Sequence, residues 1–245
     1  MALREDIRNK IKAILDEKFE VKEVSYVPKL DDPKLTFGNT GLKFEATVLF
    51  IDMRGSTQIL NNHNKTTVAK IHMAYFHTIV KITNSLGGDV RSFNGDSALI
   101  FFQGTTKTSL STAVEAAMKI RFMLTDTKNG IAGLLSKYTE IDFGIGIDDG
   151  KILCTKVGIG GEHNRDLFWV GNAVNKATVL GNESSNPNYI FISKYVYDNL
   201  LDYVKYGEKE NLWGDKVQVD MWQEETFKYN NNWETYYYTS WYMEI

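Results

Sequence analysis

The chain has 245 residues, 43% hydrophobic and 24% charged, with a formal net charge of -3. That length buries a substantial core and suits one main domain with additions, while the slight negative charge argues against a broad DNA- or RNA-binding surface. The single cysteine, Cys154, cannot close an internal disulfide and is read as a buried, inert thiol. With no apolar leader and no run approaching 18 apolar residues, a soluble cytoplasmic protein is expected.

Residues 4–20 set Ile7, Ile11, Ile14 and Leu15 at helical spacing among charges, which predicts a short amphipathic helix. Pro28, Pro33, Gly38 and Gly41 then mark an extended or irregular lead-in. The apolar, β-branched run 44–53 reads as a central strand. A helix follows over 66–86, with Val68, Ile71, His72, Tyr75, Phe76, Ile79, Val80 and Thr83 on one face, and Gly87-Gly88 stops it. Strands at 89–93 and 97–102 flank Asn94-Gly95, a pair suited to a two-residue hairpin turn, so that Asp96 emerges just after the tip.

A second helix is predicted over 112–124, with Thr112 and Glu115 at capping-box spacing. Strands at 141–147 and 151–157 flank Asp148-Asp149-Gly150, which reads as a second hairpin. Next come a strand at 167–170, a helix at 172–180, a strand at 189–192 and a helix to residue 200 capped by Ser193. The tail is dense in Tyr and Trp and predicts a β-rich extension packed on the main domain. The pattern gives an α+β fold with a mixed or antiparallel sheet packed with helices, divided as N-terminal helix and lead-in 1–43, main domain 44–202 and aromatic extension 203–245.

Two acidic turns carry the chemistry. Asp52 ends one apolar strand and is followed by Gly55, Ser56 and Thr57; Asp96 follows Gly95 at the hairpin. Brought together, the carboxylates could hold two divalent cations about 3.5–4 Å apart. The backbone N–H groups from Met53 to Thr57, with Arg54 and the small Ser56, suit phosphate oxygens. No Gly-Lys-Ser/Thr phosphate loop and no His-Glu zinc spacing is present. His163, beside Glu162, lacks enough companions for a metal role and is read as loop structure, and His72 as core or interface.

The motifs resemble those of a class III nucleotidyl cyclase over residues 44–200. Phe50-Ile51-Asp52-Met53-Arg54-Gly55-Ser56 matches the first metal motif, and Asn94-Gly95-Asp96 the second. Gly146-Ile147-Asp148-Asp149-Gly150 resembles the family's strand-turn segment, and Trp169-Val170-Gly171-Asn172-Ala173-Val174-Asn175-Lys176-Ala177 its late helix motif. The resemblance implies a head-to-tail homodimer with the active site between chains. Asp52, Asp96 and Ile51 would form the metal set for two Mn²⁺ or Mg²⁺, and Asn175 would orient the ribose.

The departures bear on the substrate. Ser92 stands where adenylate-type enzymes carry a base-reading lysine, and Phe168 where they carry Asp or Thr. Arg91 is a candidate contact to base or phosphate, facing away from Ser92 on a regular strand. These features are similar to those of bacterial pyrimidine cyclases of antiphage defence, which implies UTP conversion to cyclic UMP sensed by a separate effector. CTP, or ATP or GTP, are the alternative substrates. Val179 replaces the family's transition-state arginine, with Arg165, Lys176 or Arg54 as substitutes, and a noncatalytic cyclase-like dimer is the rival reading.

Overall fold

The computed structural model describes residues 2–159, 165–184, 186–211 and 213–245. Helix α1 (Ala2–Asp16) and strand β1 (Glu20–Glu23) lead to the long central strand β2 (Thr40–Arg54). Helices α2 (Ser56–Asn62) and α3 (Lys65–Ser85), hairpin β3 (Asp89–Asn94) and β4 (Ser97–Gln103), then helices α4 (Lys107–Thr125) and α5 (Ala132–Leu135) follow. Next in order are β5 (Asp142–Gly158), β6 (Arg165–Val170), α6 (Asn172–Glu183), β7 (Ile190–Ser193), α7 (Lys194–Asp198) and α8 (Asp202–Lys205). The tail forms β8 (Tyr206–Glu210), β9 (Lys216–Asp220), β10 (Gln223–Tyr229) and β11 (Asn232–Thr239).

The result is an α+β sandwich around a mixed sheet. Its strands run β10-β11-β7-β5-β2-β4-β3, with β1 added to β2 and β6 added to β5. The β5–β7 and β1–β2 pairs are parallel and the others antiparallel. The two-residue period of β2 explains why it is central: Leu49, Ile51 and Met53 enter a core with Tyr75, Ile79, Val114 and Met118, while Leu42, Phe44, Ala46 and Val48 enter a second core with Trp169, Ala173 and Ala177. Cys154 lies in the second core, fully buried, and burial pushes its thiol up to about 12.

Three local expectations are corrected. Asp148-Asp149-Gly150 makes no hairpin: β5 runs straight through it, antiparallel to β2 from Leu42↔Cys154 to Arg54↔Asp142. The turn signal loses to a partner strand long enough to pair both halves. At the β3–β4 tip the pair Asn94↔Ser97 makes Gly95 and Asp96 the turn residues, one place later than expected, and only Gly95 takes a positive φ, 64°. Thr112 is interior to α4; the cap is Thr106, whose hydroxyl accepts from the Ser109 N–H. Thr-x-x-Glu spacing occurs within helices as well as at their starts, and Thr112 donates instead to the Thr108 carbonyl.

Other expectations hold. Ser193 caps α7, and the tail is β-rich, with β11 paired to β7 of the main sheet. Helix α1 forms with no buried residue. Among the described residues no helix is long and apolar enough to cross a membrane. The loop carrying Glu162 and His163 lies outside the described residues.

Candidate active site

Strand pairing builds the acidic site. The β2–β4 register sets Asp52 opposite Ser97, next to Asp96, and the Met53 N–H donates to the Asp96 carbonyl at 3.3 Å. Gly55, at φ 66°, turns the chain out of β2 into α2, a conformation that costs a glycine little. Ser56 and Thr57 therefore begin a helix beside the carboxylates. They line a cleft of about 310 Å³ with Leu60, Val68, His72, Gly95 and Asp96.

The electrostatics of this pair are those of a site that wants a cation. Burial, then the negative charge of Asp96, pushes the Asp52 carboxyl up to about 6, with Arg54 opposing. The Tyr75 hydroxyl is fully buried with no hydrogen-bond partner among the described residues, and burial, then the charges of Asp52 and Asp96, raises its pKa well above the usual phenol range. Among the described residues no three His, Cys, Asp or Glu side chains cluster, so the side-chain donors are these two carboxylates. That set fits a hard divalent cation that keeps several waters and shares substrate phosphate oxygens. Ile51 is buried in β2 and offers only its main-chain carbonyl.

Of the candidate cations, Arg54, Arg91 and Lys176 are engaged within the chain. Arg54 sends Nη2 to the carbonyls of Gly181, Asn182 (2.7 Å) and Ser184 (3.0 Å) at the end of α6, and its Nη1 lies 3.6 Å from Asp52 Oδ2. Arg91 sits at an irregularity in β3, where the register shifts between Val90 and Ser92. It bonds Asp89 at 2.6 Å and the Pro28 carbonyl at 3.0 Å, which anchors the lead-in. Lys176 pairs with Glu234 of β11 at 2.5 Å. Arg165 lies at 3.7 Å from Asp31, both side chains well exposed.

The remaining candidates lie on β3, β6 and α6. Ser92 pairs with Leu99 on the hairpin. Phe168, 55% exposed, lies on β6, opposite Thr155. Asn175 is exposed on α6, six residues before Gly181 and so about 9 Å along the helix axis from the end that Arg54 holds. The fold thus brings Asp52, Asp96, Gly55, Ser56 and Thr57 together and keeps Phe168, Asn175 and Lys176 in a second group on β6 and α6.

Sequence reasoning treated Tyr75 as ordinary core, because helical periodicity places it there; the signal that it bears on the site is its unpartnered hydroxyl, visible only in three dimensions. Glu234 was likewise hidden in the aromatic tail.

The geometry has counterparts. A uridylate cyclase of Burkholderia cepacia is 29% identical over 225 residues, 90% of this chain and 94% of the relative. A uridylate cyclase of Xanthomonas perforans is 29% identical over 95% of this chain and 98% of its own. The crystal structure of the guanylyl cyclase Cya2 superposes with a TM-score of 0.65 at 19% identity, covering 82% of this chain and 94% of that one, which establishes the shared fold. The family model of the adenylate and guanylate cyclase catalytic domain matches residues 42–236, and the chain belongs to this class III nucleotidyl cyclase family.

Proposed function

We propose that the chain is a pyrimidine nucleotide cyclase that converts UTP to 3',5'-cyclic UMP and pyrophosphate, acting as a head-to-tail homodimer. One observation carries the reading: the Asp52–Asp96 pair stands at the joined ends of β2 and β4 in a chain whose near-full-length relatives bear the name uridylate cyclase. Asn175 is exposed on α6, about 9 Å along the helix from the end that Arg54 holds, which supports the dimer, since a second copy could bring its Asn175 to these aspartates.

In this reading Asp52 and Asp96 hold two Mg²⁺ or Mn²⁺, which when bound lower the pKa of the ribose 3'-hydroxyl and offset the charge of the leaving pyrophosphate. The N–H groups around Gly55, Ser56 and Thr57 receive phosphate oxygens, and Asn175 of the second copy orients the ribose. The 3'-hydroxyl gives its proton to water, its oxygen bonds to the α-phosphorus, the bond from the α-phosphorus to the bridging oxygen breaks, and pyrophosphate leaves with that oxygen. Ser92 and Phe168 offer a hydroxyl and an aromatic face to the base in place of a long donor and a short acceptor. In this reading the enzyme meets its triphosphate substrate in the cytoplasm, and a separate effector protein reads the product in antiviral defence.

Val179, where a phosphoryl-directed arginine is expected, favours one second reading, a cyclase-like dimer without turnover. Incubation of the purified protein with UTP and Mn²⁺ tests both. Pyrophosphate release that is abolished in Asp52→Ala and Asp96→Ala supports the cyclase; absence of release from the unaltered chain supports the noncatalytic dimer.

A further inference from the structure

Arg54 follows Asp52 by two residues on β2, so the two side chains leave the strand on the same face, toward α6. Its sequence position suggests a contact to the triphosphate, but its hydrogen bonds go elsewhere. One guanidinium nitrogen donates to the carbonyls of Gly181, Asn182 and Ser184, against a single 3.6 Å approach of the other nitrogen to Asp52. These carbonyls belong to the C-terminal end of α6, where the last main-chain acceptors have no partner within the helix and the helix dipole is negative. Helix α6 has no basic residue in its own last turn, so β2 supplies the cation. All three contacts come from the one nitrogen, so they share its two N–H groups, and a lysine ammonium that reached this point could replace part of them.

The rest of α6 is seated so that this end contact matters. A Cβ on Gly146 would lie 2.0 Å from the Ala177 carbonyl, and one on Gly144 would lie 2.2 Å from the Gly181 carbonyl. The helix therefore rests directly on the β5 backbone, with no side chain between them to take up slack. Asn175 rides on this helix, about 9 Å from its clamped end.

We propose that Arg54 is a positioning residue for Asn175, acting through the C-terminal turn of α6, and that it serves the active site built on the partner's aspartates rather than the one built on its own Asp52. The second half of this statement rests on the shared-site dimer proposed above. Arg54 is then the physical link between the two half-sites that each chain contributes.

The test uses full-length mixed dimers that contain a single competent site. One chain carries Asn175→Ala and donates the aspartates; the other carries Asp96→Ala, which leaves Asp52 and Arg54 intact, and donates Asn175. Arg54→Met is added to one chain or the other, and turnover of UTP is measured with Mn²⁺. On the Asn175-donating chain it should lower kcat by about tenfold or more, the scale of a misplaced catalytic group, with little change in KM. On the aspartate-donating chain, where only the 3.6 Å approach to Asp52 is lost, the decrease should be clearly smaller. Arg54→Lys on the Asn175-donating chain should recover part of the rate. A loss equal or greater on the aspartate-donating chain overturns the assignment.

Hydrogen exchange on the Arg54→Met homodimer provides a readout independent of the dimer's chemistry. Amides of residues 180–184 should exchange at least about tenfold faster; unaltered exchange there overturns the clamp. If the mixed dimer without any Arg54 change is inactive despite demonstrated subunit exchange, the shared site fails, and the exchange measurement still decides whether Arg54 holds α6.

Discussion

Lys176 Nζ lies 2.5 Å from Glu234 Oε2, and this ion pair ties the helix that bears Asn175 to the penultimate stretch of the chain. The Tyr229 hydroxyl donates to Asn172 Oδ1 at 2.8 Å, and the Lys176 ammonium lies 5.2 Å from the Tyr229 ring centre. Strand β11 in turn pairs with β7. The aromatic tail is thus a buttress: it extends the sheet and grips the N-terminal half of α6, while Arg54 grips the other end.

Breaking that grip from the tail side should destabilise the fold. Lys176 is mostly buried, so Glu234→Ala strands a cation and should cost about 1–3 kcal/mol in urea unfolding, between the values for exposed and buried pairs. Lys176→Met in the Glu234→Ala background should recover part of the loss. Equal stability of the unaltered chain and the Glu234→Ala variant would count against the buttress.

Burial in the middle of β5 predicts a pH dependence of stability. Asp148 is pushed up to about 6 by burial, against the Ser193 hydroxyl and Lys176; Asp149 is pushed up to about 7 by burial and by the charges of Asp148 and Glu45, against the Thr47 hydroxyl. Both carboxyls hold their protons more tightly folded than unfolded, where the value is near 3.8. The stability they contribute is therefore full below about pH 4 and is lost as pH rises through about 6 and 7. Melting temperature should fall between pH 5 and pH 8, and Asp149→Asn should flatten that fall and raise the melting temperature at pH 8. A profile that rises over this range would contradict the assignment.

Among the described residues the Tyr75 hydroxyl has no hydrogen-bond partner, and such a buried group costs about 1–3 kcal/mol. Tyr75→Phe should leave the protein as stable or more stable in urea unfolding, because it removes a buried hydroxyl that makes no hydrogen bond among the described residues. A marked loss of stability would show that the hydroxyl has a partner.

Of the three cations that could stand in for the arginine absent at Val179, Arg54 and Lys176 are held by close internal partners, whereas Arg165 is only loosely paired with exposed Asp31. Arg165→Ala should therefore lower kcat at least about tenfold while shifting the melting temperature little. Unchanged kcat would remove Arg165 from the reaction.

The fold was largely legible in the sequence because its signals are local: β2 reads as a central strand from its apolar run, and Asp52 and Asp96 stand out as acids at strand ends. The break in legibility came where long-range pairing outweighs turn chemistry, as at Asp148-Asp149-Gly150, which β2 holds straight. The partners of Arg54, Arg91 and Lys176 were not legible, since the carbonyls of Gly181 and Pro28 and the carboxylate of Glu234 are 127, 63 and 58 residues away. A side chain's type shows that it carries charge, and only the packed chain shows where that charge is used.

The most direct test of the central claim is to incubate the purified protein with Mn²⁺ and each of the four ribonucleoside triphosphates and to separate the products by chromatography. The account predicts cyclic UMP from UTP as the main product, lost in Asp52→Ala. Conversion of ATP or GTP with no turnover of UTP or CTP would contradict it.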